Sequence, residues 1–291
     1  MLLLIRILSL LPLRALYFIG DWLMYPLMYH ILRYRRKIVR KNLTLSFPDK
    51  NAGEIKDLEC RFYHHLTDVV AEIIYGYRIS EEELFERMTF VNPEVVDQLL
   101  EEKGGLMIML GHIGNWEWVP QIAKYFGVPN LMHYNIYRRQ KSKAADRAML
   151  ALRAKRGWPC IEKNSLLREM VAQRKDGMHK SYGMICDQKP SPKNQHFWTT
   201  FLHQDTSFLD GSEVLARKFD YATVYFHIRS LRRGYYEVTA IPLRAEDMPE
   251  FTDFPVTRQF ARLLEANILE QPELWLWSHN RWKWQKKDSR H

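Results

Sequence analysis

The sequence predicts an α/β protein with a mixed, mostly parallel sheet flanked by helices, preceded by an N-terminal amphipathic, membrane-anchoring helix. Short apolar runs bounded by glycine or turn-forming residues, such as 106–110, alternate with longer segments whose apolar residues recur at helical spacing, such as 54–77. No linker-like or repeated segment divides the 291 residues. We therefore expect a membrane-associating segment over residues 1–32 and one further domain over residues 33–291.

The order of the predicted elements brings two strand ends to one edge of the sheet. The pattern predicts helices over 54–77, 115–126, 141–156 and 257–269, strands over 106–110, 131–137 and 181–186, and a hairpin of strands 221–228 and 235–241. In sheets of this kind, ligands bind beyond the carboxyl ends of the strands. The residues that follow positions 110 and 186 are therefore candidates for a site.

The first 32 residues are strongly apolar, but Arg6, Arg14 and Asp21 interrupt them, so that no run of 18 uncharged residues exists. On a helical wheel these three charges fall within an arc of about 80°, as expected for a helix lying in the membrane interface. Pro12 and Pro26 are expected to break or kink this helix. The alternative is a helix buried in the core. This is disfavoured because so few polar residues accompany so many Leu, Tyr and Trp residues.

Basic residues cluster directly after this apolar segment. No acidic residue lies between Asp21 and Asp49, and the basic residues of this stretch include Arg33, Arg35, Arg36, Lys37, Arg40 and Lys41. Such clusters favour the cytoplasmic side, where anionic headgroups attract them. The net charge of +9 also fits nucleic acid, but the sequence has no helix-turn-helix, zinc-finger or RNA-binding signature. We therefore expect a membrane surface as partner and no nucleic acid.

The cysteines and histidines give no sign of a metal site. Cys60, Cys160 and Cys186 lack metal-ligand spacing and are odd in number, which fits a reducing compartment. Cys186 lies beside Asp187 and is a conceivable acyl-accepting nucleophile, although no neighbour in sequence lowers its pKa. The histidines show neither zincin spacing nor a neighbouring phosphate-binding loop. We expect no metal and no cofactor.

A histidine and a glutamate five residues apart follow the strand over 106–110. His112 is a candidate general base, and Glu117 a candidate partner that orients its ring. On an unbroken helix these side chains would diverge by about 140°, so a loop between them is required. Gly111 and Gly114 permit that loop, and Asn115 is a suitable helix N-cap that would place Glu117 in the first turn.

In this context the His-x4-Glu pair resembles the His-x4-acid motif of the bacterial lipid A biosynthesis acyltransferases. The resemblance covers nearly the whole chain and includes residues 40–48, Tyr137-Arg138, residues 153–157, Asp187-Gln188 and residues 277–283. It implies an O-acyltransferase that moves a fatty acyl chain from acyl carrier protein to a hydroxyl of a lipid A precursor. It also implies lipopolysaccharide biosynthesis at the cytoplasmic face of the inner membrane.

The resemblance also implies roles for several residues outside the motif. It implies a catalytic or substrate-positioning arginine, for which Arg153 is the best match. From guanidinium chemistry, one or both of Arg138 and Arg153 are expected to bind a lipid phosphate, the phosphopantetheine arm or the developing oxyanion, since guanidinium groups bind phosphate and carboxylate bidentately. Substrate-binding roles are further expected for Asn115, Asp187, Gln188, His279 and Arg281. The other exposed basic residues suit the acidic surface of acyl carrier protein.

Several alternatives stay open on the sequence. Residues 194–204, which contain Phe197, Trp198, Phe201 and Leu202, line either an acyl-chain groove or the core. A glycerolipid or aminolipid acyltransferase would use the same His-x4-acid pair. A non-catalytic protein that binds membrane lipid through its tryptophan and basic residues is the alternative outside enzymes. The acceptor, the acyl-chain length, the oligomeric state and the membrane topology of the N-terminus are not determined by the sequence.

Overall fold

The computed structural model of the protein describes residues 2–140, 142–154, 157–174, 176–284 and 286. The helices are α1 (Leu2–Leu8), α2 (Leu13–Ile19), α3 (Arg36–Ser46), α4 (Ala52–Tyr75), α5 (Glu81–Arg87), α6 (Pro93–Lys103), α7 (Lys143–Ala154), α8 (Leu166–Ala172), α9 (Gly211–Phe219) and α10 (Pro255–Glu270). The strands are β1 (Met88–Phe90), β2 (Gly105–Leu110), β3 (Leu131–Tyr137), β4 (Cys160–Glu162), β5 (His179–Ile185), β6 (Phe197–Phe201), β7 (Gln204–Phe208), β8 (Ala222–Arg232) and β9 (Tyr235–Pro242). Two π-helical segments, Gly20–Met24 and Leu27–Ile31, and three 3₁₀ helices, Val119–Tyr125, Ala245–Asp247 and Pro272–Leu274, complete these elements.

Seven strands form one sheet in the order β1-β9-β8-β2-β5-β3-β4, and β6 and β7 form a separate hairpin. All neighbours in the large sheet are parallel except the β8–β9 hairpin. The central strand β2 is buried along its whole length, which explains why its sequence is an unbroken apolar run. The predicted α/β class with a mostly parallel sheet is confirmed.

Most predicted elements lie where the pattern put them, but the helix predicted over 115–126 is wrong in type. Residues 116–118 form a turn, and Val119–Tyr125 is a 3₁₀ helix with a proline in its first turn. Asn115 does not cap it, because its amide donates to the buried carboxylate of Glu72 at 2.8 Å. The helix predicted over 141–156 is α7, and Lys141, Lys155 and Arg156 lie outside the described residues.

The N-terminal segment packs on α4 and leaves an apolar surface outward. Pro12 precedes α2 and separates it from α1, as predicted. Arg6 donates to Tyr77 at 2.9 Å, and Asp21 pairs with Arg233 at 2.8 Å, so these charges turn toward the body of the protein. Nine apolar side chains are more than half exposed: Leu3, Leu4, Ile7, Leu10, Phe18, Trp22, Leu23, Ile31 and Leu32. We call these nine residues the apolar N-terminal surface.

Among the described residues, no helix has both the length and the apolar character needed to cross a bilayer.

Part of the basic cluster over residues 33–41 forms ion pairs inside the protein. Arg36 and Arg40 both pair with Glu59, which is fully buried. Arg35 donates to the carbonyl oxygen of Ser278 at 3.0 Å. The exposed basic residues of the cluster are Arg33, Arg35, Lys37 and Lys41.

A buried carboxylate joins the N-terminal segment to the sheet. Glu72 lies on α4 and accepts hydrogen bonds from Tyr17 at 2.7 Å, from Asn115 at 2.8 Å and from Tyr236 at 2.9 Å. These donors come from α2, from the loop after β2 and from β9. Glu72 therefore connects three parts of the fold that are distant in sequence.

We expect Glu72→Gln to change how the stability of the protein depends on pH. Burial raises the pKa of Glu72 to about 7 from its ordinary value of 4.5. The native state thus favours the protonated carboxyl, and this stabilisation is present below pH 4.5 and is lost as the pH rises through 7. Relative to Glu72→Gln, the wild type should lose roughly 3 kcal/mol of unfolding free energy over that range. Thermal unfolding of both proteins in detergent from pH 4.5 to 8 tests this; parallel pH profiles would contradict it.

Candidate active site

His112 and Asp187 meet beyond the carboxyl ends of two adjacent parallel strands. Leu110 is the last residue of β2 and pairs with Ile185, the last residue of β5. Two residues after the end of each strand, Nδ1 of His112 lies 2.6 Å from Oδ1 of Asp187. This is the edge of the sheet at which the sequence predicted a site.

The C-terminal segment fixes this pair from the other side. The indole N–H of Trp275 and the backbone N–H of His112 both donate to Oδ2 of Asp187 at 2.8 Å. The backbone of Leu276 donates to the carbonyl oxygen of His112 at 3.1 Å. A Cβ atom on Gly111 would lie 2.5 Å from a methyl group of Leu264, so a larger residue at that turn would have to displace this buried side chain.

These contacts keep Asp187 ionised. Burial alone would raise the pKa of this carboxyl, but the charge of His112 and hydrogen bonds from His112 and Trp275 lower the pKa to about 2. A carboxylate at Nδ1 holds the imidazole in one tautomer and stabilises the imidazolium that forms when the ring takes up a proton. Asp187 is thus an orienting partner for a histidine base.

The second ring nitrogen of His112 faces the open side of the site. The amide nitrogen of Gln188 lies 3.3 Å from Nε2 of His112. An amide N–H can only donate, so this contact places a lone pair on Nε2 and the proton on Nδ1. The edge of Trp116 packs against the ring, with the two ring centroids 5.1 Å apart. In this arrangement Nε2 is the atom that can accept a proton from a substrate.

The predicted pairing of His112 with Glu117 is wrong in this structure. Glu117 instead forms a bidentate ion pair with Arg153, at 3.0 Å to Nε and 2.7 Å to Nη2. The turn over residues 116–118 carries Glu117 away from the ring and toward α7. The sequence placed an acid beside His112 by proximity along the chain, whereas the sheet supplies the acid from the neighbouring strand.

Asn115 is predicted to contact substrate, but the structure buries it completely and bonds its amide to Glu72. It holds the loop that carries His112 rather than facing the open side of the site. Cys186 is also buried, and burial raises the pKa of its thiol to about 12. A thiol of that pKa is a poor nucleophile at neutral pH.

A group of cationic side chains lies around Lys189, the residue that follows Gln188. Burial lowers the pKa of Lys189, and the charges of Lys283, Arg281, Arg35 and Arg138 lower it further. These five residues come from four separate parts of the chain. We call them the cationic cluster, and only Arg138 and Arg281 among them belong to the predicted site residues.

Arg281 is the most unusual member of the cationic cluster. Its side chain is 3% exposed, and its Nη2 donates to the backbone oxygen of Ser207, while its Nε has no hydrogen-bond partner among the described residues. Burial lowers its pKa to about 9. A buried cation without a paired carboxylate costs free energy unless an anion accompanies it.

His279 and Asn42 connect the predicted C-terminal and N-terminal motifs. Burial lowers the pKa of His279 to about 4, and its Nε2 accepts from the backbone of Lys189 at 3.4 Å. Asn42 donates to the backbone oxygens of Trp277 and His279 at 2.9 and 3.0 Å. Residues 40–48 and 277–283, the two segments that resemble the family, thus contact each other.

Three of the four apolar residues of 194–204 belong to the core, and the fourth, Trp198, is half-buried. Phe197, Phe201 and Leu202 are at most 3% exposed. An apolar cavity of about 520 Å³, including its open mouth, lies instead between the sheet and the 3₁₀ helix Val119–Tyr125. Its walls include Ile108, Leu110, Trp116, Phe126, Ile185 and Phe226. Trp116 joins this cavity to His112.

The family model described as bacterial lipid A biosynthesis acyltransferase matches residues 1–284. The search of curated proteins found no match to the chain.

We expect Asp187→Asn to lower the rate of the catalysed reaction by about a thousandfold, because the amide can neither stabilise an imidazolium nor hold the same tautomer. Glu117→Gln should cost much less, because Glu117 contacts Arg153 and not His112. Steady-state kinetics of both variants, with circular dichroism to verify folding, measure this. If Glu117→Gln were inactive and Asp187→Asn were not, the assignment of the partner would be reversed.

Proposed function

The chain belongs to the bacterial lipid A biosynthesis acyltransferases, and we propose that it transfers a fatty acyl chain from acyl carrier protein to a hydroxyl of a lipid A precursor. The observation that carries this proposal is the His112–Asp187 pair, whose histidine ring packs against Trp116 at the wall of an apolar cavity. We further propose that this site works at the cytoplasmic face of the inner membrane.

The chemistry is a direct transfer. Nε2 of His112 accepts the proton of the acceptor hydroxyl as its oxygen attacks the thioester carbonyl carbon, and the carbonyl oxygen becomes an oxyanion. The carbon–sulfur bond then breaks, and the imidazolium returns the proton to the leaving thiolate. The products are an ester and the free thiol of the carrier protein. Asp187 stabilises the imidazolium throughout.

Side chains are better placed than the backbone to bind the oxyanion. The backbone N–H groups of His112 and Gly114 already donate to Asp187 and to Leu274. The amide of Gln188 lies beside Nε2 of His112, and the next residue is Lys189. Donors aimed at developing charge each contribute a few kcal/mol, and we assign this role to these two residues. Arg153 supports the site through Glu117.

The cationic cluster supports a phosphorylated acceptor. Four other basic side chains lie close enough to Lys189 for their charges to lower its pKa, and Asp187, whose charge acts on Arg281, is already bonded to His112 and Trp275. A phosphate group would satisfy the partly bonded guanidinium of Arg281. Because a lipid A precursor and a lysophospholipid both carry phosphate, this observation favours them over an aminolipid acceptor.

The N-terminal segment is suited to lie on a membrane. The apolar N-terminal surface forms a patch on α1, α2 and the π-helical segments, with exposed basic residues of α3 next to it in sequence. An apolar patch flanked by cations fits the interface between acyl chains and anionic headgroups. We propose that the segment holds the site at the membrane that contains the acceptor.

The test is acyl transfer from radiolabelled acyl carrier protein to an under-acylated lipid A precursor in detergent. His112→Ala should abolish turnover, whereas the control His227→Ala, whose histidine lies on β8 and pairs with Glu270 of α10, should retain it. Acceptors with and without phosphate separate the contribution of the cationic cluster, and removal of phosphate should lower kcat/KM by at least about tenfold.

Other acceptors decide between the alternatives. Turnover only with a lysophospholipid or an aminolipid would keep the mechanism and replace the substrate. An unchanged rate in His112→Ala would end the proposed mechanism. No turnover with any acceptor would favour a protein that binds lipid without catalysis.

We also expect the paired change Leu4→Gln and Trp22→Gln to weaken membrane binding by more than about tenfold, since burial of each large apolar side chain contributes about 1.5–3 kcal/mol. The matched control is Leu269→Gln, an exposed leucine on α10 outside this surface. Co-sedimentation with vesicles of anionic phospholipid measures the binding. Equal loss in the control would mean that the N-terminal surface has no special role.

A further inference from the structure

A second, polar cleft adjoins the apolar cavity on the other side of the Glu117–Arg153 ion pair. It holds about 420 Å³, including its open mouth, and is bounded by the end of α4, the 3₁₀ helix Val119–Tyr125 and α7. Both spaces are lined by Glu117, Arg153, Pro120 and Asn135. The ion pair therefore stands between them.

Two buried polar side chains of this cleft lack hydrogen-bond partners among the residues that the structure describes. Gln121 is 3% exposed and has no partner at either its amide nitrogen or its amide oxygen. The indole N–H of Trp118, at 2% exposure, also has none. Buried polar groups are normally hydrogen-bonded, because an unsatisfied one costs free energy. Their position in one cleft indicates a ligand with both acceptor and donor atoms.

Asn135 adds a third polar side chain to the lining of the cleft. Its amide oxygen lies 3.2 Å from Nε2 of His133, whose Nδ1 lies 2.8 Å from the hydroxyl of Ser181. Burial lowers the pKa of His133 to about 4, so its ring is neutral and donates through Nε2 to Asn135. The hydroxyl of Ser181 then donates to Nδ1. This chain of bonds occupies the oxygen of Asn135 and leaves its amide N–H groups for the cleft.

We propose that this cleft binds the amide-bearing pantetheine arm of the acyl donor. The inference rests on the proposed function, since it takes the donor to be a thioester on a carrier protein. An amide oxygen of the arm accepts from Trp118, Asn135 and Gln121, and an amide N–H donates to the oxygen of Gln121. The thioester then lies by Trp116 and His112, and the acyl chain occupies the apolar cavity.

The surface around the mouth of the cleft agrees with this occupant. Met149 and Arg153 line the mouth from one face of α7, and Lys143 and Arg147 of the same helix are exposed. Arg138 and Arg139, which precede α7, are also exposed. A basic surface at the entrance would attract an acidic carrier protein and direct its arm inward.

Three thioester donors that share one acyl group test the proposal: acyl carrier protein, acyl-pantetheine with both amides, and acyl-mercaptoethanol with none. Gln121→Leu should lower kcat/KM for the first two donors by about tenfold to a hundredfold, which is the effect of losing one or two buried hydrogen bonds. For the amide-free donor it should stay within about twofold. Because the ratio between donors is measured on one preparation, it does not depend on the folded fraction.

The control is Gln98→Leu, an exposed glutamine on α6 that should change no donor's rate. Equal loss for all three donors would show that Gln121 has only a structural role and would overturn the proposal. An unchanged rate for all three would show that the cleft holds water only and would also overturn it. Failure of the wild type with every donor would reject the proposed function itself, a result distinct from both.

Discussion

The buried carboxylate of Asp187 is the group on which the rest of the site depends. A charge in the interior must be fully hydrogen-bonded, and three donors from two distant segments satisfy this one: the ring and backbone of His112 and the indole of Trp275. To supply them, strands β2 and β5 must be neighbours, and the C-terminal segment must return to the sheet edge. The same requirement therefore sets the tautomer of His112, the position of the C-terminal tryptophans and the open face of Nε2.

Much of the fold follows from the sequence because its strands and helices have clear patterns. The apolar run of β2, the alternation in β8 and β9, and the helical spacing in α4 each have one simple interpretation, and the structure agrees with it. The rule that sites lie beyond the carboxyl ends of parallel strands also brought His112 and Asp187 to one edge. His112 and Asp187 become partners because β2 pairs with β5. That pairing is a long-range contact that no local pattern encodes.

The wrong predictions share one physical cause. Each was based on neighbours in sequence, whereas the fold supplies a partner from a distant segment. Glu117 is close to His112 along the chain, but the turn over 116–118 aims it at Arg153. Asn115 has the chemistry of a helix cap, yet the buried Glu72 takes its amide. Arg36 and Arg40 belong to a basic run typical of a membrane flank, but Glu59 pairs with both. Lys189 was missed because its cationic neighbours come from three other parts of the chain.

Asp187 holds His112 with a proton on Nδ1 and a lone pair on Nε2. The nitrogen-15 spectrum of the protein labelled in its histidines tests this directly, with His112→Ala to assign the signal. While the ring is neutral, we expect Nδ1 of His112 to carry the proton and Nε2 to have the shift of an unprotonated nitrogen. A protonated Nε2 with an unprotonated Nδ1 would contradict it, because the base would then have no lone pair facing the acceptor hydroxyl.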